Sequence, residues 1–295
     1  MGATTGGSDT PMASRIRESM PDFDARRLLE THTVAVWDVL CPGHLGHDDE
    51  EEIAETTHLV FPYRGVYVHH VGRARTVAEA NHVLFINADE PYRVSHPVEG
   101  GDATLSIGVD AATLMELAPA DYLAGPDRPA FNRSRLPIDG HAQAQAAVLQ
   151  HRLRDGLVDD LEGETLTLSL LRRTLGGRHP ARAVNGTRRQ RLVDRAKLVV
   201  SSDLNRRWSL ADVGERVGAS PVYLTDVFQQ VEGIPLYRYQ LRLRLAKALH
   251  MLRDCDSVTD LAFDLGFSSH SHFSAAFRQA FGQTPSTLRR SLMSA

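Results

Sequence analysis

Leu210-Ala211-Asp212-Val213-Gly214-Glu215-Arg216-Val217-Gly218 is echoed by Val258-Thr259-Asp260-Leu261-Ala262-Phe263-Asp264-Leu265-Gly266, 48 residues later. Beyond each stretch, Leu224, Phe228 and Gly233 match Phe273, Phe277 and Gly282 at an offset of 49, so the second copy carries one inserted residue. Each copy spells helix, sharp turn, helix. Val213 and Val217 stand one turn apart and face inward, and Gly218 supplies a turn that asks for positive φ. Ser220 is placed as an N-cap and Pro221 as the first helical residue, where a missing N–H costs nothing. The second copy repeats this with Leu261, Leu265, Gly266, Ser268 as the cap, and Phe273 and Phe277 buried.

The second helix of each copy then has an outer face. Val222, Thr225, Asp226 and Gln229 occupy it in the first copy, and His270, Ser271, Ser274 and Arg278 in the second, with Ala275 beside them. A helix presented this way fits the major groove, where exposed side chains reach base edges. These eight are the base-contact candidates. One such hairpin is a weak signal, but two joined by one helix are specific. Residues 235–252 supply that helix, with Leu241, Leu245, Ala248 and Leu252 as its apolar stripe. The joined copies are expected roughly 34 Å apart, one turn of DNA.

The charge agrees. The chain of 295 residues has a formal net charge of −4, which hides two unlike parts. Residues 1–187 hold 17 basic and 27 acidic side chains, whereas residues 188–295 hold 16 basic and 10 acidic. A basic segment beside an acidic one is a cue for nucleic-acid contact. Phosphate-contact candidates are Arg188, Arg189, Arg191, Arg206, Arg207, Arg242, Arg289 and Arg290.

The run Asp260-Leu261-Ala262-Phe263-Asp264-Leu265-Gly266-Phe267-Ser268-Ser269-His270-Ser271-His272-Phe273, continuing to Thr284-Pro285, resembles the signature of the AraC/XylS family of bacterial transcription regulators. The resemblance covers about the last 105 residues. It implies two helix-turn-helix units reading successive major-groove segments near promoters. Two positions depart from the family pattern. Asp226 and Ala275 stand where basic residues are common, and Arg is the usual reader of guanine. Asp226 either accepts from cytosine N4 or merely caps or orients a neighbouring Arg, the second reading being favoured.

Upstream, residues 31–110 read as short strands: Thr33–Trp37, His58–Phe61, Val66–Val68, Val83–Ile86 and Thr104–Ile107, separated by Gly65, Gly72, Asn81, Asp89-Glu90-Pro91 and Gly100-Gly101. Residues 141–157 and 162–175 have helical spacing through Val148, Leu149, Leu153, Leu157, Leu166, Leu170, Leu171 and Leu175. Their apolar face either covers the strands or pairs with a second chain. The expected division is a tail (1–20), a β-barrel sensor (21–138), a helical connector (139–176), a linker (177–189) and the DNA-binding domain (190–295). The fold class is therefore α+β multidomain, with the C-terminal domain all-α.

The stretch from His58 to Gly65, then His82 to Pro97 and Gly100 to Asp102, resembles the cupin-like sensor domains attached to many AraC-type regulators. That implies a small barrel able to hold an effector, for which Tyr63, Arg64, Tyr67, Tyr92, Arg93 and His96 are the candidate contacts. A metal-binding cupin pattern is not met. His69 and His70 are adjacent and so face opposite sides of a strand, and Tyr92 stands where a later His belongs. Cys41, His44, His47 and His58 offer soft and imidazole donors at short spacing, read either as a Zn²⁺ or Cu⁺ site or as an incidental loop, the second being favoured.

No run of about 18 apolar residues marks a membrane span, and the first twenty residues lack a secretory apolar core. Two cysteines, Cys41 and Cys255, are too few for a disulfide framework, which suits a cytoplasmic location. No nucleophile elbow, P-loop or dinucleotide fingerprint is present. The expected function is a promoter-binding transcription regulator, not an enzyme, with no cofactor. Its expected partners are double-stranded DNA, a small-molecule effector, a second copy of itself and, for an activator, RNA polymerase. The rival is a metal-dependent cupin enzyme with a DNA-binding appendage.

Overall fold

A computed structural model describes residues 24–43, 51–177 and 187–293. The expected tail lies outside these residues, as do His44 and His47. The first part is built from strands: β1 (Asp24–Glu30), β2 (Val34–Cys41), β3 (Glu52–Ile53), β4 (Thr57–Arg64), β5 (Tyr67–Val71), β6 (Ala74–Ala78), β7 (His82–Ile86), β8 (Pro91–Ser95), β9 (Asp102–Val109), β10 (Leu123–Gly125), β11 (Arg128–Phe131) and β12 (Arg135–Pro137). They form a six-stranded sheet in the order β1-β2-β9-β4-β7-β12, a four-stranded sheet β3-β8-β5-β6 and the hairpin β10-β11. The expected barrel is not closed among the described residues. Closure needs the two edge strands to exchange ladder bonds. At one edge β1 is hydrogen-bonded within the sheet to β2, and at the other β12 is only three residues long and ends in Pro137, which has no N–H to donate.

Strand β9 is buried along its whole length, as is β4 from Thr57 to Pro62, because both faces of the large sheet are covered. One face carries Leu59, Phe61, Leu105 and Ile107 into the main core. The other carries Val60 and Leu84 against Tyr67 and Ala78 of the small sheet. After a short helix α1 (Ala111–Leu117), helices α2 (Gly140–Arg154) and α3 (Asp160–Gly176) pack over the main core through Leu149, Leu153, Leu170, Leu171 and Leu175. Of the two readings open for that apolar face, the structure shows it covering the sheet.

The C-terminal part is helical: α4 (Thr187–Ser202), α5 (Leu210–Val217), α6 (Pro221–Glu232), α7 (Leu236–Met251), α8 (Val258–Asp264), α9 (His270–Phe281) and α10 (Pro285–Met293). Helix α4 begins inside the segment expected as linker. Its start, Arg188-Arg189-Gln190-Arg191, has no apolar period, and its stripe of Leu192, Val193, Ala196 and Val200 follows only afterwards. In the first copy Ser209 and Asp212 cap α5 reciprocally, Gly218 takes the left-handed conformation at φ 68°, and Ser220 caps α6. In the second copy the cap is Ser269 rather than Ser268. Only Ser269 stands immediately before α9 with extended backbone, so its hydroxyl accepts from His272 N at 3.1 Å.

Helix α7 is buried on two sides. Tyr239, Leu243 and Ala246 belong to the core of the first copy, and Leu245, Ala248, Leu249 and Leu252 to that of the second. Each of these cores also takes in residues from upstream: Ala80 enters the first, and Ala144 and Ala147 of α2 enter the second. The two parts of the chain are thus packed together, not merely tethered. Gly140 shows how closely, since a Cβ there would stand 2.1 Å from the carbonyl oxygen of Ala280 near the end of α9.

A buried charge network holds the end of α6. Lys197 of α4 is fully buried, with Nζ 2.9 Å from Glu232 Oε1 and 3.5 Å from Glu79 Oε1. Arg135 Nη2 donates to Glu232 Oε1 at 3.1 Å. His82 bridges the carboxylates, its Nδ1 2.6 Å from Glu79 and its Nε2 3.4 Å from Glu232. Burial, then the charges of Lys197 and Arg135, lower His82 from its ordinary value, against the pull of Glu79. Burial alone would raise both acids. His82 and Lys197 overcome it at Glu79, holding it down to about 2, and Lys197 and Arg135 hold Glu232 well below the carboxylate range.

Removing one charge strands the others in a dry interior. Lys197→Met is expected to cost about 3–5 kcal/mol in chemical denaturation at neutral pH, and adding Glu79→Gln to recover much of it, since Glu232 then stays paired with Arg135. Gly140→Ala is expected to cost about 1–3 kcal/mol by forcing α2 away from α9, measurable in the same way. Acid should weaken the fold in two stages. Burial lowers His58 to about 4 and His250 to about 3, so the unfolded chain alone takes up those protons as pH falls below the ordinary 6.5. Glu79 adds its loss between the ordinary 4.5 and about 2. A melting temperature that stays level from pH 7 to 4 would contradict this.

Candidate nucleic-acid interface

Helices α6 and α9 are held by their C-terminal ends, one by Arg135, His82 and Lys197 around Glu232, the other by the approach of Gly140 to Ala280. Their outer faces remain open to solvent. In α6 Val222 is 74% exposed, and Asp226 and Gln229 are exposed one and two turns further on. Thr225 is half-buried and donates its hydroxyl back to Pro221 O at 2.9 Å, so that hydroxyl is turned from the face. In α9 His270, Ser271 and Arg278 are exposed, while Ser274 is half-buried with its Oγ 3.3 Å from His270 Nε2. The chemistry available is varied: a guanidinium suited to guanine, an amide suited to adenine, a carboxylate suited to cytosine N4, and a Val methyl suited to thymine. Among the described residues Asp226 forms no ion pair with an arginine, which removes the geometric basis for the favoured reading that it orients one.

The arginines divide by what they touch. Arg206 and Arg216 both lie over the Trp208 ring, at 4.2 and 4.7 Å from its centroid, and Arg206 also lies 3.5 Å from Asp212. Arg289 is half-buried and donates to Cys255 O at 2.5 Å, so its charge serves the loop before α8 and not a solvent face. A loop carbonyl so far back in the chain leaves no local signal, so pattern alone places Arg289 among the phosphate contacts. Arg188, Arg191, Arg207, Arg242 and Arg290 are exposed, and Arg189 reaches Gln230 of α6 at 3.2 Å. Two residues that pattern reading passes over are Tyr223, 47% exposed on α6, and Tyr237, 64% exposed at the start of α7. Large aromatic side chains are mostly inside, and only the packing shows that these two are not.

The six effector candidates do not converge on one cavity. Tyr63 donates to Asp38 Oδ1 at 2.6 Å and stacks on His250 of α7 at 4.3 Å between centroids. It lines a pocket with Phe61, Ile138, Gln143, Leu249 and His250, where the sheet, α2 and α7 meet. Tyr67, Tyr92 and His96 are buried, with Tyr92 donating to Glu52 Oε2 at 2.7 Å. Arg93 follows Tyr92 on β8 and therefore projects from the opposite face, and Arg64 is exposed.

The cysteine-histidine loop is also regrouped. His58 is occupied elsewhere, its Nδ1 2.9 Å from Ser106 Oγ and its Nε2 3.1 Å from Thr56 Oγ1. Cys41 instead meets His96 and Asp102, because β2 and β9 pair with Cys41 opposite Asp102. Hydrogen bonds to Asp102 and then to Cys41 raise His96 to about 10.

Residues 213–291 match a family described as a helix-turn-helix domain. Over 79 residues the chain is 42% identical to the HTH-type transcriptional activator RhaS of Escherichia fergusonii, covering 26% of this chain and 28% of that protein. Over 63 residues it is 46% identical to RhaS of Escherichia coli O157:H7, covering 21% and 23%. The chain therefore spans less than a third of the length of these curated relatives. Among solved structures it is similar to an AraC-type transcriptional regulator from Chromobacterium violaceum, at 29% identity, 36% and 96% coverage and a TM-score of 0.34. It is also similar to ToxT from Vibrio cholerae O395, at 13% identity, 94% and 100% coverage and a TM-score of 0.36. By its paired helix-turn-helix units and by these sequence matches, the C-terminal third of the chain is an AraC-type helix-turn-helix domain.

Proposed function

We propose that this protein is a sequence-specific DNA-binding transcription regulator whose helices α6 and α9 enter successive major-groove segments of a promoter. The observation that carries this is the pair of open helix faces mounted on one shared helix, α7, whose side chains belong to both cores. A rigid mount fixes the spacing of the two reading heads before DNA arrives, which lowers the ordering cost of binding. The exposed arginines of α4, α7 and α10, with Arg207 of the loop before α5, supply backbone contacts that set register without reading sequence. The name of the RhaS relatives supports activation as the sense of control, with RNA polymerase as the further partner. The double-sheet domain is the cupin-like sensor, acting in the cytoplasm through its grip on the C-terminal ends of α6 and α9. A second copy of the chain is a further partner in this reading, with Leu161, 74% exposed on α3, as an apolar side chain open to it.

Fluorescence anisotropy with duplexes from upstream of neighbouring genes, against scrambled duplex, tests the reading. Arg278→Ala is expected to cost about 1–3 kcal/mol on the preferred duplex and to relax its sequence preference. Arg207→Ala is expected to weaken both duplexes alike and to reduce the slope of log K on log salt by about 0.9. Equal affinity of the unaltered chain for promoter and scrambled DNA would overturn sequence-specific recognition.

A further inference from the structure

Cys41, His96 and Asp102 meet at the end of the large sheet, away from the DNA-reading helices. Cys41 and Asp102 are direct cross-strand partners, and His96 follows β8, with its Nε2 2.7 Å from Asp102 Oδ1. One ligand atom from each lies within 4.8 Å of the others, and the three residues are 7%, 4% and 5% exposed. Sulfur, imidazole nitrogen and carboxylate oxygen together form a mixed donor set that suits Zn²⁺ better than the hard, all-oxygen cations. Zinc bonds of about 2.0–2.3 Å separate tetrahedral donors by roughly 3.5 Å, which side-chain adjustments of about 1 Å reach here. Among these neighbours the buried Tyr67 ring stands 6.4 Å from that of His96.

We propose that Cys41, His96 and Asp102 bind a zinc-class divalent ion as a three-residue site with an open fourth position. The open position admits water or a small ligand, as three-ligand zinc sites do. The site also has a physical route to the reading heads. Ala103, next to Asp102, pairs with Arg64, and Arg64 follows Tyr63, whose ring stacks on His250 of α7. Drawing the three ligands together shifts the start of β9 against the end of β4, next to the Tyr63–His250 contact. This consequence rests on the regulatory reading above, whereas the binding site itself does not.

The test uses the full chain, stripped with a chelator and titrated with Co²⁺, then with Zn²⁺ in competition. The expected result is one equivalent of cobalt with a thiolate-to-cobalt charge-transfer band in the near ultraviolet, displaced by zinc. Cys41→Ser is expected to lose the band and bind at least tenfold more weakly, and Asp102→Asn to keep the band with at least tenfold weaker binding. His58→Ala is expected to change neither. No cobalt uptake, or uptake by the unaltered chain without the thiolate band, overturns the site, and neither outcome depends on whether Cys41→Ser folds. Loss of binding in His58→Ala overturns the ligand assignment. DNA anisotropy on the same samples, with and without zinc, separates the two readings: metal uptake with no change in DNA affinity overturns the regulatory link alone.

Discussion

A lysine ammonium with no exposure to water has to be met by carboxylates, and at Lys197 those carboxylates come from two parts of the chain. Glu79 lies in the turn between β6 and β7, and Glu232 is the last residue of α6. Arg135 completes the balance, and His82 lies between the two acids. Such a network is demanding, because its charges have left water and any missing member leaves another unpaired. It is satisfied only when the sheet domain sits on the first helix-turn-helix unit. The relative placement of the two parts follows from that condition.

The second unit is placed by shape. Ala144 and Ala147 let α2 lie close to its core, and Gly140 allows the backbone to approach Ala280 at a distance no side chain would tolerate. Small residues and one glycine here do what salt bridges do at the first unit. Together with α7, which serves both cores, they give α6 and α9 a fixed mount. The domain that supplies the mount also contains Tyr63, stacked on His250 of that same helix, so a change in the sheet has a short path to the helix that joins the two units.

Much of the C-terminal third was legible in the sequence. Leu224, Phe228, Phe273 and Phe277 are all buried as their spacing required, and Gly218 takes the left-handed turn asked of it. The miss at Ser268 was by one residue, at the point where the second copy carries its insertion. The five strand segments also appear, but β1 did not announce itself. Asp24-Ala25-Arg26-Arg27-Leu28-Leu29-Glu30 is an edge strand with mostly exposed side chains, so it carries little apolar alternation. The partners of the candidate contact residues were less legible. Tyr92 and Arg93 are neighbours in sequence and lie on opposite faces, and Arg289, exposed by pattern, is held by a loop carbonyl.

The division follows the range of the forces involved. Caps, glycine turns and the 3.6-residue period act over a few residues, so the sequence by itself determined that two helix-turn-helix units exist and which faces they present. Cross-strand and interdomain partners are chosen by register and by packing. Cys41 and Asp102 are brought opposite one another only because β2 pairs with β9, and Lys197 finds Glu79 and Glu232 only after the two parts dock. Tertiary structure alone decided those meetings. Their favourable energy exists only once desolvated charges and donors share one place, and no local stretch of the chain carries a trace of it.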